Sequence, residues 1–190
     1  MITQHKLLAA AAIMSAFISA PMAYAAPSGG SSEPAATEKP LTKKQVAAKA
    51  ECKKKGGVWN MVKRVCQDAQ NGSLDDESLY QAGREYALEG RYDEAITTLN
   101  YVADAQDKRV LNYLGYSYRK SGQIEVGLTY YKQALAIDPD YTLVREYLGE
   151  ALIQMGDISG AKGQLLEIKN RCKGACPEYA ELAEQLAPYN

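Results

Sequence analysis

LNYLGYSYRKSGQIEVGLTYYKQALAIDPD, residues 111–140, is two helix-period apolar stripes divided by a glycine. Leu111, Leu114, Gly115 and Tyr118 recur at i, i+3, i+4 and i+7, and Tyr131, Ala134 and Leu135 continue the pattern beyond the break. Gly122 lies between the stripes, where a helix end needs a positive φ. Pro139 follows the second stripe and stops its helix. The stretch therefore reads as a helical hairpin. Gly115 and Gly127 are the small residues that let its two helices approach.

The same offsets occur on both sides. Gly83, Tyr86, Gly90 and Ala95 precede Gly115, Tyr118, Gly122 and Gly127 by 32 residues, and Gly149, Leu152, Gly156 and Ala161 follow them by 34. Three registered copies of a hairpin pattern resemble the tetratricopeptide repeat, whose unit is two antiparallel helices in about 34 residues. The resemblance covers about residues 76–171, half of the chain. It implies an all-α solenoid of three repeats, with helices over roughly 76–88, 92–105, 108–120, 124–137, 141–154 and 158–171. A seventh helix, about 177–186, starts with Pro177 in its first turn and covers the apolar face that the last repeat leaves open. Some positions depart from the family. The first unit is short and has no closing proline. Gly127 replaces the usual alanine, at a cost of about 0.8–1 kcal/mol in helix propensity. Arg145 stands where the first two units have Leu79 and Leu111.

Residues 1–25 read as a secretory signal peptide. Lys6 supplies the positive start, Leu7–Ala20 is an apolar run of 14 residues, and Ala23-Tyr24-Ala25 is a cleavage site. A spanning helix needs roughly 17–25 apolar residues. No later stretch is apolar enough to cross a bilayer, so the mature chain is expected without a transmembrane segment. No cysteine lies near the cleavage site, which speaks against a lipoprotein. The expectation is an exported protein of the bacterial periplasm. Cleavage would also remove His5, the only histidine. Without it there is no Ser-His or Cys-His nucleophile pair, no histidine acid–base chemistry and no histidine metal site. Neither a P-loop nor a dinucleotide glycine motif is present. The reading is non-enzymatic, with no cofactor and no metal. Residues 26–40, rich in Pro, Gly and Ser, read as a disordered linker.

Residues 41–70 form a separate basic module in this reading. Between 41 and 66 the net charge is +7, whereas between 74 and 190, the repeat domain with its capping helix, it is −7. A helix over about 42–53 leads into a small hairpin built on Val58, Trp59, Val62 and Val65. Four cysteines in an exported chain are expected to pair, and three connectivities exist. The local one joins Cys52 to Cys66 and Cys172 to Cys176. The first bond staples the module, which is too small to bury a core. The second fixes the capping helix; the competing readings of Cys172 and Cys176 are a redox switch or a soft-metal thiolate site. Lys53, Lys54, Lys55, Trp59, Lys63 and Arg64 are the module's candidate contacts. They would meet an anionic envelope polymer or membrane surface, or the acidic repeats themselves. Nucleic acid does not suit an exported protein with an acidic main domain.

The resemblance also implies where a partner would bind. In the repeat family the first helix of each hairpin lines a groove that holds an extended peptide or a helix. Its residues here are Tyr80 and Arg84 in the first unit, Asn112, Tyr116 and Arg119 in the second, and Glu146, Glu150 and Ile153 in the third. Within each helix they share one face. Tyrosine offers apolar area with a hydroxyl, arginine grips a carboxylate, and asparagine bonds a peptide group. Family members that clamp a chaperone's terminal carboxylate carry Lys and Asn on the first repeat helix and basic residues on the third. The corresponding places hold Tyr80, Arg84, Leu143 and Tyr147, so that version is not expected. The preferred reading is an adaptor for a protein or peptide of the cell envelope. The alternative makes the basic module the surface-binding part and the repeats a spacer.

Overall fold

The computed structural model describes residues 41–60, 63–70 and 74–189. The expected signal peptide and linker lie outside the described residues, as do Met61 and Val62, the latter one of the expected hairpin residues. The chain order is helix α1 (Lys43–Lys54), strands β1 (Val58–Asn60) and β2 (Val65–Gln67), then α2 (Asp76–Leu88), α3 (Tyr92–Leu99), α4 (Lys108–Lys120), α5 (Ile124–Ile137), α6 (Thr142–Gln154), α7 (Ile158–Cys172) and α8 (Pro177–Leu186). A 3-10 turn, Ala187–Tyr189, follows. α2–α3, α4–α5 and α6–α7 are the three hairpins, and α8 packs on both α6 and α7.

The turn glycines act as their spacing predicts. Gly90, Gly122 and Gly156 have φ of 78°, 92° and 80°. In each unit the N–H that follows the glycine returns to the carbonyl of Tyr86, Tyr118 or Leu152, at 2.8–2.9 Å. That bond is the six-residue closure of a left-handed helix cap, and it recurs unchanged in all three units. The contact glycines are equally specific. A Cβ on Gly115 would lie 2.6 Å from the Tyr131 ring, and one on Gly127 would lie 2.7 Å from the Gly115 carbonyl oxygen. In the third unit the space beside Gly149 is filled by Leu182 of α8, not by a residue of α7.

One helix is shorter than expected. α3 ends at Leu99, not near 105. Asp76, in the first turn of α2, accepts the N–H groups of Ala103 and Asp104 at 2.9 and 3.2 Å. This side chain holds the connection in a turn and lets Val102 fold into the core. The unit has no closing proline; its helix closes through the N–H groups of Tyr101 and Val102 on the Thr98 and Leu99 carbonyls, and Asp76, 27 residues before Ala103, holds the connection that follows.

The core runs through the stack in three parts. The first joins Val58 to Leu79, Tyr86, Leu99 and Leu114; the second joins Leu111, Tyr131, Val144 and Leu148; the third joins Ala161, Ile168, Leu182 and Leu186. The N-terminal module is an α1 helix and a two-stranded antiparallel sheet pairing Val58 with Gln67 and Asn60 with Val65. Thr42 and Gln45 form a reciprocal capping box at the start of α1.

Candidate functional site

The expected groove residues lie along α2, α4 and α6, and most of them are turned into a shared network. Tyr80 is buried and its ring lies 6.1 Å from that of Tyr113. Arg84, half-buried, donates from Nε to the Tyr113 hydroxyl at 3.0 Å. From Tyr113 the aromatic contacts continue to Tyr116 at 6.3 Å and from Tyr116 to Tyr147 at 5.1 Å. Arg119 sits beneath the last two rings, 5.6 and 5.8 Å from their centroids. Its side chain is fully buried, and Nη2 meets Glu150 Oε2 at 2.6 Å. Its Nε donates to the Tyr131 hydroxyl at 3.3 Å. Glu150 also accepts from Gln185 of α8 at 2.7 Å. Ile153 is half-buried against the third core part.

Two residues of this row stand in unusual environments. Asn112 is completely buried, and among the described residues neither its amide oxygen nor its amide nitrogen has a hydrogen-bond partner. Native proteins rarely leave such groups unmatched. Glu146 is 1% exposed. Burial, then its hydrogen bond to Glu181 and the charges of Glu181, Glu150 and Glu178, push its carboxyl up to about 9. Burial also pushes the hydroxyls of Tyr147 and Tyr131 above the usual tyrosine range. Among the described residues, no group of three or more His, Cys, Asp or Glu is placed to hold a metal ion.

The basic module is packed against the first repeat. Lys49 Nζ meets Glu85 at 2.7 Å, and Lys53 bridges Glu85 and Glu89. Arg91 Nη1 donates to the Lys53 carbonyl and the Tyr86 hydroxyl donates to the Gly57 carbonyl, both at 2.6 Å. Trp59 is buried, and its indole Nε1 has no partner. A cleft beside it is walled by Ala82 and Tyr86. Lys54 and Lys55 are exposed and reach only Glu51. Lys63 is exposed as well. Arg64, at φ 55° in the hairpin, donates to Gln45. Disulfides join Cys52 to Cys66 and Cys172 to Cys176, with Cα separations of 5.5 and 5.7 Å.

Burial opposes ionisation of Glu85, but Lys49 and Lys53 outweigh it and hold the carboxyl below its ordinary value. The ordinary glutamate value is about 4.3, so the stability this group adds is present above that pH and is lost as pH falls through its lower, folded value. Acidification is therefore expected to loosen α1 from α2 and to shift the emission of Trp59, the single tryptophan. A Glu85→Gln chain titrated alongside should lack that step. Glu85, Glu89, Arg91, Glu181 and Gln185 were not among the expected site residues. The signal for the first two was present, because they lie four apart on one helix face opposite a +7 segment.

Models of the tetratricopeptide repeat match residues 80–142 and 118–186, which together span more than half of the chain. A curated relative, the uncharacterised protein ycf37 of Guillardia theta, is 26% identical over 111 residues, or 55% of this chain. The match spans 62% of that relative's length. Among solved structures, the first repeat domain of Spaghetti (RPAP3) bound to the HSP90 peptide SRMEEVD aligns with a TM-score of 0.54 at 19% identity, covering 60% of this chain and 92% of that one. The Yersinia enterocolitica type III secretion chaperone SycD, in complex with a peptide of the translocator YopD, aligns with a TM-score of 0.51 at 22% identity over 59% of this chain and 86% of that one. At these identities the structural likeness establishes the fold.

Proposed function

Because this chain belongs to the tetratricopeptide repeat family, we propose that it is an exported, non-enzymatic adaptor that binds a protein or peptide partner of the cell envelope along α2, α4 and α6. The observation that carries the reading is the pair Arg84 and Tyr116, half-buried on α2 and α4, which present a guanidinium and a phenol side by side on the row expected to face a partner. Such groups suit a peptide, whose carbonyls and carboxylates accept hydrogen bonds and whose side chains pack on an aromatic ring. Two solved relatives in the fold hold peptides, which supports the same class of ligand. The signal-like residues 1–25 support export, and the periplasm is the compartment proposed.

Arg84→Ala combined with Tyr116→Glu tests this directly. The expected outcome is loss of the partner captured by the unaltered chain from envelope extract, with the helix signal in circular dichroism retained. A folded double variant that still captures the same partner would refute the site. The alternative, surface binding through the basic module, rests on Lys54, Lys55 and Lys63, which stay exposed while Lys53 and Trp59 serve the contact with α2. In that case Lys54, Lys55 and Lys63 changed together to Gln would lose polymer or vesicle binding, and Arg84→Ala with Tyr116→Glu would not.

A further inference from the structure

The row along α2, α4 and α6 continues onto α8, and its two ends carry charge of opposite sign. At the α2 end stands Arg84. Its Nε donates to the Tyr113 hydroxyl at 3.0 Å, and among the described residues neither Nη group has a hydrogen bond and no carboxylate pairs with it. The half-buried guanidinium is thus held by one edge, and the fork that grips a carboxylate is left open. On α4, Arg109 and Arg119 are already paired, the first with Asp107 and Glu77 and the second with Glu150. Exposed Lys120, 5.6 Å from the centre of the Tyr116 ring, adds a second cation on that side.

The α8 end is acidic. Leu182 lies beside Gly149 and Gln185 donates to Glu150 at 2.7 Å, so α8 runs alongside α6 in the same direction. Glu181 and Glu178 lie four and seven places before Gln185, on the same edge of the helix. Both are half-buried, and among the described residues no cation pairs with either. Between the two ends the floor is aromatic. The half-buried Tyr116 and Tyr147 rings, with centroids 5.1 Å apart, carry it from α4 to α6.

We propose, resting on the partner-binding reading of this row, that it takes an extended peptide of bipolar charge: an acidic residue held by Arg84 and a basic residue held by Glu178 and Glu181. The spacing follows from the packing. α2, α4, α6 and α8 lie side by side in that order. Neighbouring helix axes are about 8–10 Å apart, so the path from α2 to α8 is about 24–30 Å. An extended chain advances about 3.3 Å per residue and covers that path in about seven to nine residues. A peptide of one sign, or one with the two charges exchanged, places like charge on like at one end or both.

A phage-displayed library of random twelve-residue peptides, selected on the immobilised full chain, tests this. Enriched peptides are expected to carry an acidic and a basic residue about seven to nine positions apart, in one order throughout. Made synthetically and followed by fluorescence anisotropy, they should bind Arg84→Gln about ten- to a hundredfold more weakly than the unaltered chain. Glu178→Gln with Glu181→Gln should weaken them to a similar degree. Arg84→Glu combined with Glu178→Lys and Glu181→Lys should enrich peptides of the opposite order. Circular dichroism checks the helix signal of each variant, and the neutral variants decide if the charge-reversed chain does not fold. Enriched peptides that lack the pair, or that bind the neutral variants equally well, would overturn the bipolar ligand; their loss in Arg84→Ala with Tyr116→Glu would still leave the groove standing. Peptides retained by that double variant, or no enrichment from the library, would overturn the bipolar ligand and the groove together.

Discussion

Arg119→Ala is expected to lower the unfolding free energy by about 3–5 kcal/mol, the loss seen when one member of a buried ion pair is removed. Arg119 is the only cation paired with Glu150 among the described residues, and its side chain is fully buried. Removing it leaves Glu150 beside Glu146 with no cation, only the Gln185 amide, to compensate it. It also empties the space beneath Tyr116 and Tyr147 and takes the Nε bond from Tyr131. Burial by itself disfavours the guanidinium, but Tyr131 and Glu150 reverse the effect and hold its charge firmly. Arg119→Lys should recover little, because a single ammonium cannot reach Glu150 and Tyr131 together while lying under two rings. Urea unfolding followed by circular dichroism measures both variants. The neighbouring Lys120 is exposed, and Lys120→Ala serves as the comparison, with an expected change within about 0.5 kcal/mol. A loss in Arg119→Ala no larger than in Lys120→Ala would mean that water screens the pair.

The second large effect is expected from Cys52→Ser with Cys66→Ser. Their disulfide closes a loop of about 15 residues, worth about 3 kcal/mol in the chain-entropy treatment. The module it staples is an α1 helix and two strands of three residues each, too little to hold together alone. Its core contribution is Val58, buried with Leu79 and Tyr86 of the first repeat, and buried Trp59 lines a cleft with Ala82 and Tyr86; both lose that position when the strands separate. Trp59 emission should therefore shift to the red at a lower temperature than the loss of helix signal from α4 to α7. In the unaltered chain the two transitions should lie closer together. Coincident transitions in the double variant would show that docking on α2, through Lys49, Lys53 and the Tyr86 hydroxyl, suffices without the bond. The Cys172–Cys176 loop is only five residues, and the same treatment assigns it about 2 kcal/mol.

Much of the architecture was legible because its causes are local. The repeat offsets identify the hairpins, since a small residue is needed where two helices touch and a positive φ where one ends. Tyr86, Tyr118 and Leu152, three places after each contact glycine, turned out to carry the carbonyls that close those caps. The local disulfide pairing was legible from spacing and compartment. The end of α3 was not, because the connection after Leu99 is held by Asp76 at the start of the preceding helix. Nor was the partner of Gly149. Its register within the unit pointed to α7, whereas α8 packs closely enough on α6 to bring Leu182 there.

The candidate site divides along the same line. Periodicity assigned Tyr80, Asn112, Arg119 and Glu146 to one face of their helices. It did not separate a face turned to a partner from one turned to the next helix. That depends on residues 29–35 places away in the chain: Tyr113 beside Arg84, Glu150 beside Arg119, Gln185 beside Glu150. The +7 and −7 segments were likewise plain in the sequence as opposite charges, and only the packing of α1 on α2 turned Lys49, Lys53, Glu85 and Glu89 into mutual partners. The sequence by itself determined the helices, their turns and the family, because backbone preference and side-chain period act over a few residues. The tertiary structure alone decided which polar groups are matched and which, like the Asn112 amide, are not, because hydrogen bonds and ion pairs depend on distances of a few ångströms between residues far apart in the chain.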